Sequence, residues 1–293
     1  MKRQVKKFIN YAGRMVQSES LSLQSAINKE LQILLSMQYR SSDQRPSLRD
    51  AGFNLYSATD EDGILLYIFS LIGMRTRLCV DIGAANIQGS NTPNLILNHG
   101  FTGLLLDGSE TGMQNVREFY AGHPATAHMP PNAVTALVTR ENINDVIRSN
   151  GVSGEIDLLG IDIDGNDYWI WEAITCVDPA VVLIEYQDIL GPDRSWTIPY
   201  KPDFNGDDYE VNREQHNYNG ASLRALTRLG KRKGYRLVGT HRYGWNAFFV
   251  KNGRGDEVLP EVSVESCFDS AWNKYGMEHR FPLVANMEWV EIE

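Results

Sequence analysis

Cysteine is scarce in this chain. The three that occur, Cys79, Cys176 and Cys267, are too few and too scattered for a disulfide framework or a zinc site. No apolar run approaches the length of a membrane span. The basic start, MKRQVKKFIN, is not followed by an apolar signal core and a small-residue cleavage site, so the expectation is a cytoplasmic protein. Positive charge is in deficit: 28 Lys and Arg against 37 Asp and Glu leave a formal net charge of −9, which argues against a nucleic-acid backbone as partner. Two phosphate-binding signatures are missing as well. After Gly83 the second and third glycine positions of a dinucleotide fingerprint are Ala85 and Gln88, and there is no Walker lysine.

What is present reads as one large globular domain with appendages. Residues 1–47 form a helical arm and linker. Apolar residues recur at Val5, Phe8 and Ile9 and again at Leu31, Ile33, Leu34 and Leu35, while Lys2, Arg3, Lys6 and Lys7 make the first turns basic. Such an arm suits a contact between copies of the chain, or a peripheral contact with a membrane surface. Residues 48–253 alternate between strand and helix patterns, interrupted by a long polar and aromatic insertion at 188–220. Residues 254–293 show no pattern and stand as a C-terminal extension.

The alternation is regular. Strands are expected at RLCVDIG (77–83), TGLLLDG (102–108), AVTALVT (133–139), EIDLLGIDID (155–164) and AVVLIEYQ (180–187), with a strand pair in YRLVGTHRYGWNAFFVKNG (235–253). Helical patterns fall between them, several closed by a glycine such as Gly73 or Gly100. The expected fold is α/β: a Rossmann-like, doubly wound, mostly parallel sheet of seven strands, with a terminal antiparallel hairpin and helices on both faces. Such sheets bind ligands beyond the carboxyl ends of their strands. Asp81, Asp107, Asp162, Asp164 and Glu185 all sit at expected carboxyl ends.

An acid, a tight glycine turn and small polar residues suit a ligand without phosphate whose ammonium and ribose need acceptors. S-adenosylmethionine is such a ligand, and Asp107 is placed to accept from both ribose hydroxyls. On CVDIGAANIQGS, GLLLDGSE, LLGIDIDGNDYWIWEAI, VVLIEYQ and KGYRLVGTHRYGWNAFFV, over roughly residues 55–250, the chain resembles the class I S-adenosylmethionine-dependent methyltransferases of the FkbM-like type, related to the macrocin-type sugar O-methyltransferases. The resemblance implies methyl transfer to a hydroxyl of a sugar or glycan. It implies that Asp81, Gly83 and Ser90, with Ala84 beside them, line the methionine end of the cofactor. Asp107, with Gly108, would hold the ribose and Ser109 would lie near the adenosine. The loop after Asp81 is one residue longer than the family's usual pattern, and YSATDEDG stands where SQxGEDG is more usual.

Asp162 and Asp164 are two apart at the end of one strand and so point the same way. Three roles are open to them. Asp164 could cap the following helix while Asp162 accepts backbone N–H groups. One of them could be a general base. Or both could hold a divalent cation, Mg²⁺ or Mn²⁺, together with Glu185. The third role is favoured by three converging carboxylates with no base nearby in sequence, and macrocin-type enzymes resemble it; there the metal orients the acceptor hydroxyl and lowers its pKa. His241, at the expected hairpin turn, and His216, in the insertion, are the candidate catalytic histidines. Trp196, Tyr200 and His216 are the expected acceptor contacts, since aromatic faces beside acids and amides suit carbohydrate. Two other functions remain open: an NAD(P)-dependent oxidoreductase on a similar sheet, and a non-catalytic glycan-binding protein.

Overall fold

The computed structural model describes residues 24–293. The basic turns at Lys2–Lys7 and the apolar positions Val5, Phe8 and Ile9 lie outside the described residues. The chain divides into two compact units, Met1–Arg45 and Pro46–Glu293. In the first, helix α1 spans residues 24–41 and leaves Ile27, Leu31, Leu34 and Met37 exposed. Among the described residues no helix is long and apolar enough to cross a membrane.

The second unit opens with α2 (Glu61–Ile72), which is buried from Glu61 through Ser70 because its ILLYIF run is apolar all round. Then follow β1 (Leu78–Ile82), α3 (Pro93–His99), β2 (Thr102–Asp107), α4 (Glu110–Gly122), β3 (Asn132–Thr135), α5 (Ile143–Ser149), β4 (Gly154–Ile161), α6 (Asp167–Ala173) and β5 (Val177–Glu185). After the insertion, which contains the two-residue strand β6 (Trp196–Thr197), come α7 (Leu223–Lys233), β7 (Tyr235–Thr240) and β8 (Asn246–Lys251). Local chemistry sets several of these ends. The Ser222 side chain accepts from Ala225 N at the start of α7, and Gly234 closes that helix in the left-handed region at φ 86°.

The seven strands pair in the order β3-β2-β1-β4-β5-β8-β7. β1 to β5 are mutually parallel, and β8 runs antiparallel to both β5 and β7. The sheet is therefore Rossmann-like, with the expected hairpin at one edge. From β1 the chain moves outward to β3 and then returns to lay β4 on the other side of β1. The crevice that binds ligands in such sheets lies at this reversal. One face is sealed by α6 and α7. Trp171 packs within 5.0 Å of the Phe249 ring, and Ile170, Leu226 and Leu229 are fully buried beside it.

The C-terminal residues pack onto this unit. The buried Arg236 side chain donates to Leu259 O, Lys251 O and Arg254 O and so holds the segment after β8 against β7. Further on come α8 (Ala271–Tyr275), a π-helical turn (Gly276–Arg280), α9 (Phe281–Val284) and β9 (Val290–Glu291). β9 pairs with β6 as a second, two-stranded sheet over a small apolar cluster of Ile189, Ile198, Tyr218 and Val284.

Candidate active site

Strand register builds the site. Ile82 is level with Leu106 on β2 and with Ile161 on β4, and Ile161 is level with Ile184 on β5. One residue further out, Asp107, Gly83, Asp162 and Glu185 therefore form a row across the carboxyl edge, and Asn246 pairs with Glu185 on β8. Only a glycine fits at the second position. Gly83 has φ 98°, and a Cβ there would fall 1.7 Å from the Asp162 carbonyl oxygen.

Two cavities open along this row. The first, of about 330 Å³, lies at the β1–β4 reversal, and Gly83, Asp107, Gly108, Leu137, Asp162 and Phe204 are among its walls. That volume is in the range of small-ligand sites. Asp107 takes one hydrogen bond, from Ser109 N to Oδ1 at 2.7 Å, which leaves Oδ2 without a protein donor. Of the other expected cofactor residues, Asp81, Ala84, Ser90 and Ser109 are not in the wall. Asp81 is buried behind it and accepts from Ser90 Oγ at 2.9 Å and Thr92 Oγ1 at 2.6 Å. It orders the loop after β1. Ala84 is buried, and Ser109 caps α4. Three N–H groups of the loop are already used: Gly83 N and Ala84 N both donate to Leu106 O, and Gly89 N donates to Tyr56 O.

Asp162, Asp164 and Glu185 each place a carboxylate oxygen within 4.8 Å of the others. Asp162 and Glu185 are half-buried, and among the described residues no N–H or O–H donates to either carboxylate. Burial first, and then the neighbouring aspartates, push both carboxyls well above the usual carboxylate range. Asp164 adopts φ 54°, a left-handed conformation uncommon outside glycine, which turns its side chain toward solvent. It does not cap α6; the N-cap position is Asn166, without a side-chain bond. Asp167 holds the turn instead, accepting from Ile163 N and Gly165 N at 2.9 Å each.

The second cavity, of about 250 Å³, lies on the β5 side of the row. Asp164 and Glu185 line it with Gln187, Asp188, His216, Trp245, Trp272 and Arg280. Asp164 thus faces both cavities. His216 Nδ1 lies 3.1 Å from Asp164 Oδ1, so the insertion delivers its histidine to the acids. Trp272 and Arg280 had no signal in the sequence: they come from the patternless C-terminal stretch, 87 or more residues beyond Glu185. Nothing basic was expected in the segments adjacent to the acids, and Arg280 comes from far along the chain into the same cavity, 3.4 Å from Asp188 Oδ1.

The remaining candidates fall elsewhere. His241 is fully buried and lines neither cavity. Trp245 N donates to its Nε2 at 3.1 Å, its Nδ1 is 3.3 Å from Thr59 Oγ1, and burial holds the imidazole below its usual pKa against the pull of Glu61 and Asp60. It braces the hairpin against the start of α2. Trp196 stacks on Trp289 in the two-stranded sheet, and the Tyr200 hydroxyl donates to Glu141. Neither lines a cavity. The insertion instead brings Pro202 and Phe204 to the first cavity and Asp188, Gln215, His216 and Asn219 to the second.

No family model and no curated protein matches the chain. Among solved structures, it is similar to an O-methyltransferase family protein from Burkholderia thailandensis, with 11% identity and a TM-score of 0.39 over 67% of this chain and 60% of that one. It is also similar to magnesium protoporphyrin IX methyltransferase from Synechocystis with bound SAM, with 11% identity and a TM-score of 0.37 over 66% of this chain and 78% of that one. A third is a glycopeptide N-methyltransferase complexed with S-adenosyl-L-homocysteine, with 11% identity and a TM-score of 0.39 over 70% of this chain and 95% of that one. The chain spans about three fifths of the Burkholderia protein's length. Likeness this distant carries no argument about activity.

Proposed function

We propose that this chain is an S-adenosylmethionine-dependent O-methyltransferase of the FkbM-like, macrocin-type kind, acting on a hydroxyl of a sugar or glycan with the help of a divalent cation. The observation that carries this is the carboxylate trio at the junction of two cavities, with Asp164 in the wall of each. A donor in the first cavity and an acceptor in the second would meet at the acids, and methyl transfer requires that close, in-line approach. Asp107 Oδ2 would accept from the ribose diol. The second and third glycines of a dinucleotide fingerprint are replaced by Ala85 and Gln88, which disfavours a pyrophosphate and so an NAD(P) cofactor.

The trio fits a hard cation on its own chemistry. All its donors are oxygens, and two of its half-buried carboxylates lack hydrogen-bond partners. Asp162, Asp164 and Glu185 would hold the ion. When bound, it would supply the positive charge that lowers the pKa of an acceptor hydroxyl. Trp245 and Trp272 give the second cavity flat apolar faces, and Gln187 and Asn219 give it amides, a mixture suited to a sugar.

A thermal-shift series tests the reading. S-adenosylhomocysteine should raise the unfolding temperature and NAD(P) should not. Stabilisation by NAD(P) alone would favour an oxidoreductase, and stabilisation by neither a non-catalytic protein.

A further inference from the structure

The second cavity holds one guanidinium, which invites the expectation that it receives an anionic acceptor such as a uronate or a sugar phosphate. The partners of Arg280 say otherwise. Arg280 is 7% exposed. Its Nε donates to Asn217 Oδ1 at 2.9 Å, one terminal nitrogen donates to His216 O at 3.0 Å, and the other faces Asp188 Oδ1 at 3.4 Å. The guanidinium also lies over the Trp272 ring, 5.3 Å from its centroid. Asp188 balances its charge, and three of its five N–H groups face protein acceptors. Two further acids, Asp164 and Glu185, line the same cavity with no cationic side chain of their own inside it apart from the titratable His216.

Resting on the methyltransferase reading, we propose that the Asp188–Arg280 pair is a specificity determinant: it withholds Arg280 from the acceptor, so the second cavity selects uncharged or amine-bearing sugars and rejects anionic ones. The physical basis is a difference between acceptors. A carboxylate or phosphate entering the cavity would lose its hydration beside Asp164, Asp188 and Glu185, with the one guanidinium already neutralised. A hydroxyl meets amides and aromatic faces, and an ammonium meets carboxylates. A divalent ion on the trio offsets part of that acidic charge but leaves the Asp188–Arg280 pair as it is. The π-helical turn that carries Arg280 fixes this arrangement, since it brings the guanidinium back over Trp272, eight residues earlier in the chain.

The test uses the full chain with Mg²⁺ and S-adenosylhomocysteine, and reads binding of three probes by saturation-transfer NMR: methyl glucoside, glucosamine and glucuronate. The expected result is contact with the first two, with glucuronate roughly tenfold weaker or undetected. Asp188→Asn should free the guanidinium and raise glucuronate binding relative to methyl glucoside, and Asp188→Asn combined with Arg280→Gln should restore the original ranking. Because Asp188→Asn strands a buried cation and could impair folding, the ranking in the unaltered protein decides on its own. Glucuronate binding as well as methyl glucoside, or none of the three binding, overturns the proposal. S-adenosylhomocysteine binding is measured in the same samples. If it is absent, the methyltransferase reading fails; if it is present with a flat or reversed ranking, only the specificity proposal fails.

Discussion

The two cavities differ in how they are made. The first is assembled from the carboxyl ends of neighbouring strands β1 to β4 and the loops that leave them, so most of its wall falls within residues 82–166. The second draws on five separated stretches: the end of β4, residues 185–188, residues 215–219, the hairpin turn at Trp245, and the C-terminal Trp272 and Arg280. A parallel sheet supplies the first almost automatically, because every strand ends on the same edge. Nothing local requires the second. Its walls are joined by long-range ties: Arg236 holds the chain against β7, β9 pairs with β6, and Arg280 bonds to Asn217 and His216. The division teaches that the parallel sheet by itself makes the first cavity, while the second depends on the appended segments.

The sharpest way to break the comparison is at its junction. Removing divalent ions with a chelator, or making Glu185→Gln, should lower turnover by about 100-fold or more while S-adenosylhomocysteine binding, followed by calorimetry, stays within a few-fold. Full activity in excess chelator would return Asp162 and Asp164 to other roles. Next in size is Asp107→Ala, which touches the first cavity alone. It should weaken S-adenosylmethionine binding roughly tenfold to a hundredfold, the loss of a charged hydrogen-bond acceptor. Unchanged affinity would remove Asp107 from the cofactor site.

A third prediction concerns pH. Burial raises the carboxyls of Asp167 and Asp188 to about 6 from an ordinary 3.8. For Asp188, Arg280 opposes the rise. Between those values the folded chain holds protons that the unfolded chain has released, so each carboxyl makes stability fall as pH rises from about 4 to about 6 and then level off. The cost is on the order of 2–3 kcal/mol per group. Metal-free protein should therefore resist urea better near pH 5.5 than at pH 7.5, and added Mg²⁺ should narrow the gap. A midpoint that rises with pH in the absence of metal would contradict this. The smallest effect is expected at Phe204, which lines the first cavity and packs over Gly165. Phe204→Ala should weaken cofactor binding a few-fold and leave sugar binding in the second cavity nearly unchanged. This is a narrower probe than replacing the insertion, because Thr197 and Ile198 are fully buried and carry the smaller core.

Much of the molecule was legible from residues alone. The helix ends at Gly73, Gly100 and Gly234, and the apolar runs of β1, β2, β4 and β5, are local consequences of side-chain chemistry and need no partner to be recognised. The acids at strand ends were legible for the same reason: a parallel sheet aligns all its carboxyl ends, so Asp107, Asp162 and Glu185 had to share an edge. Which of those acids face a ligand was not. Asp81 and Asp107 both stand near the ends of adjacent strands, but the register sets Asp81 level with Leu105, two residues further in, where it turns to Ser90 and Thr92 while Asp107 stands in the cavity wall. His241 and His216 also looked alike, and only packing buried one and set the other beside Asp164. Trp272 and Arg280 lie in a stretch with no periodicity, and their place depends on contacts across tens of residues. Strand and helix periods are properties of a short segment, and they set the sheet. Long-range packing and charge pairing, which no short segment contains, decided the second cavity.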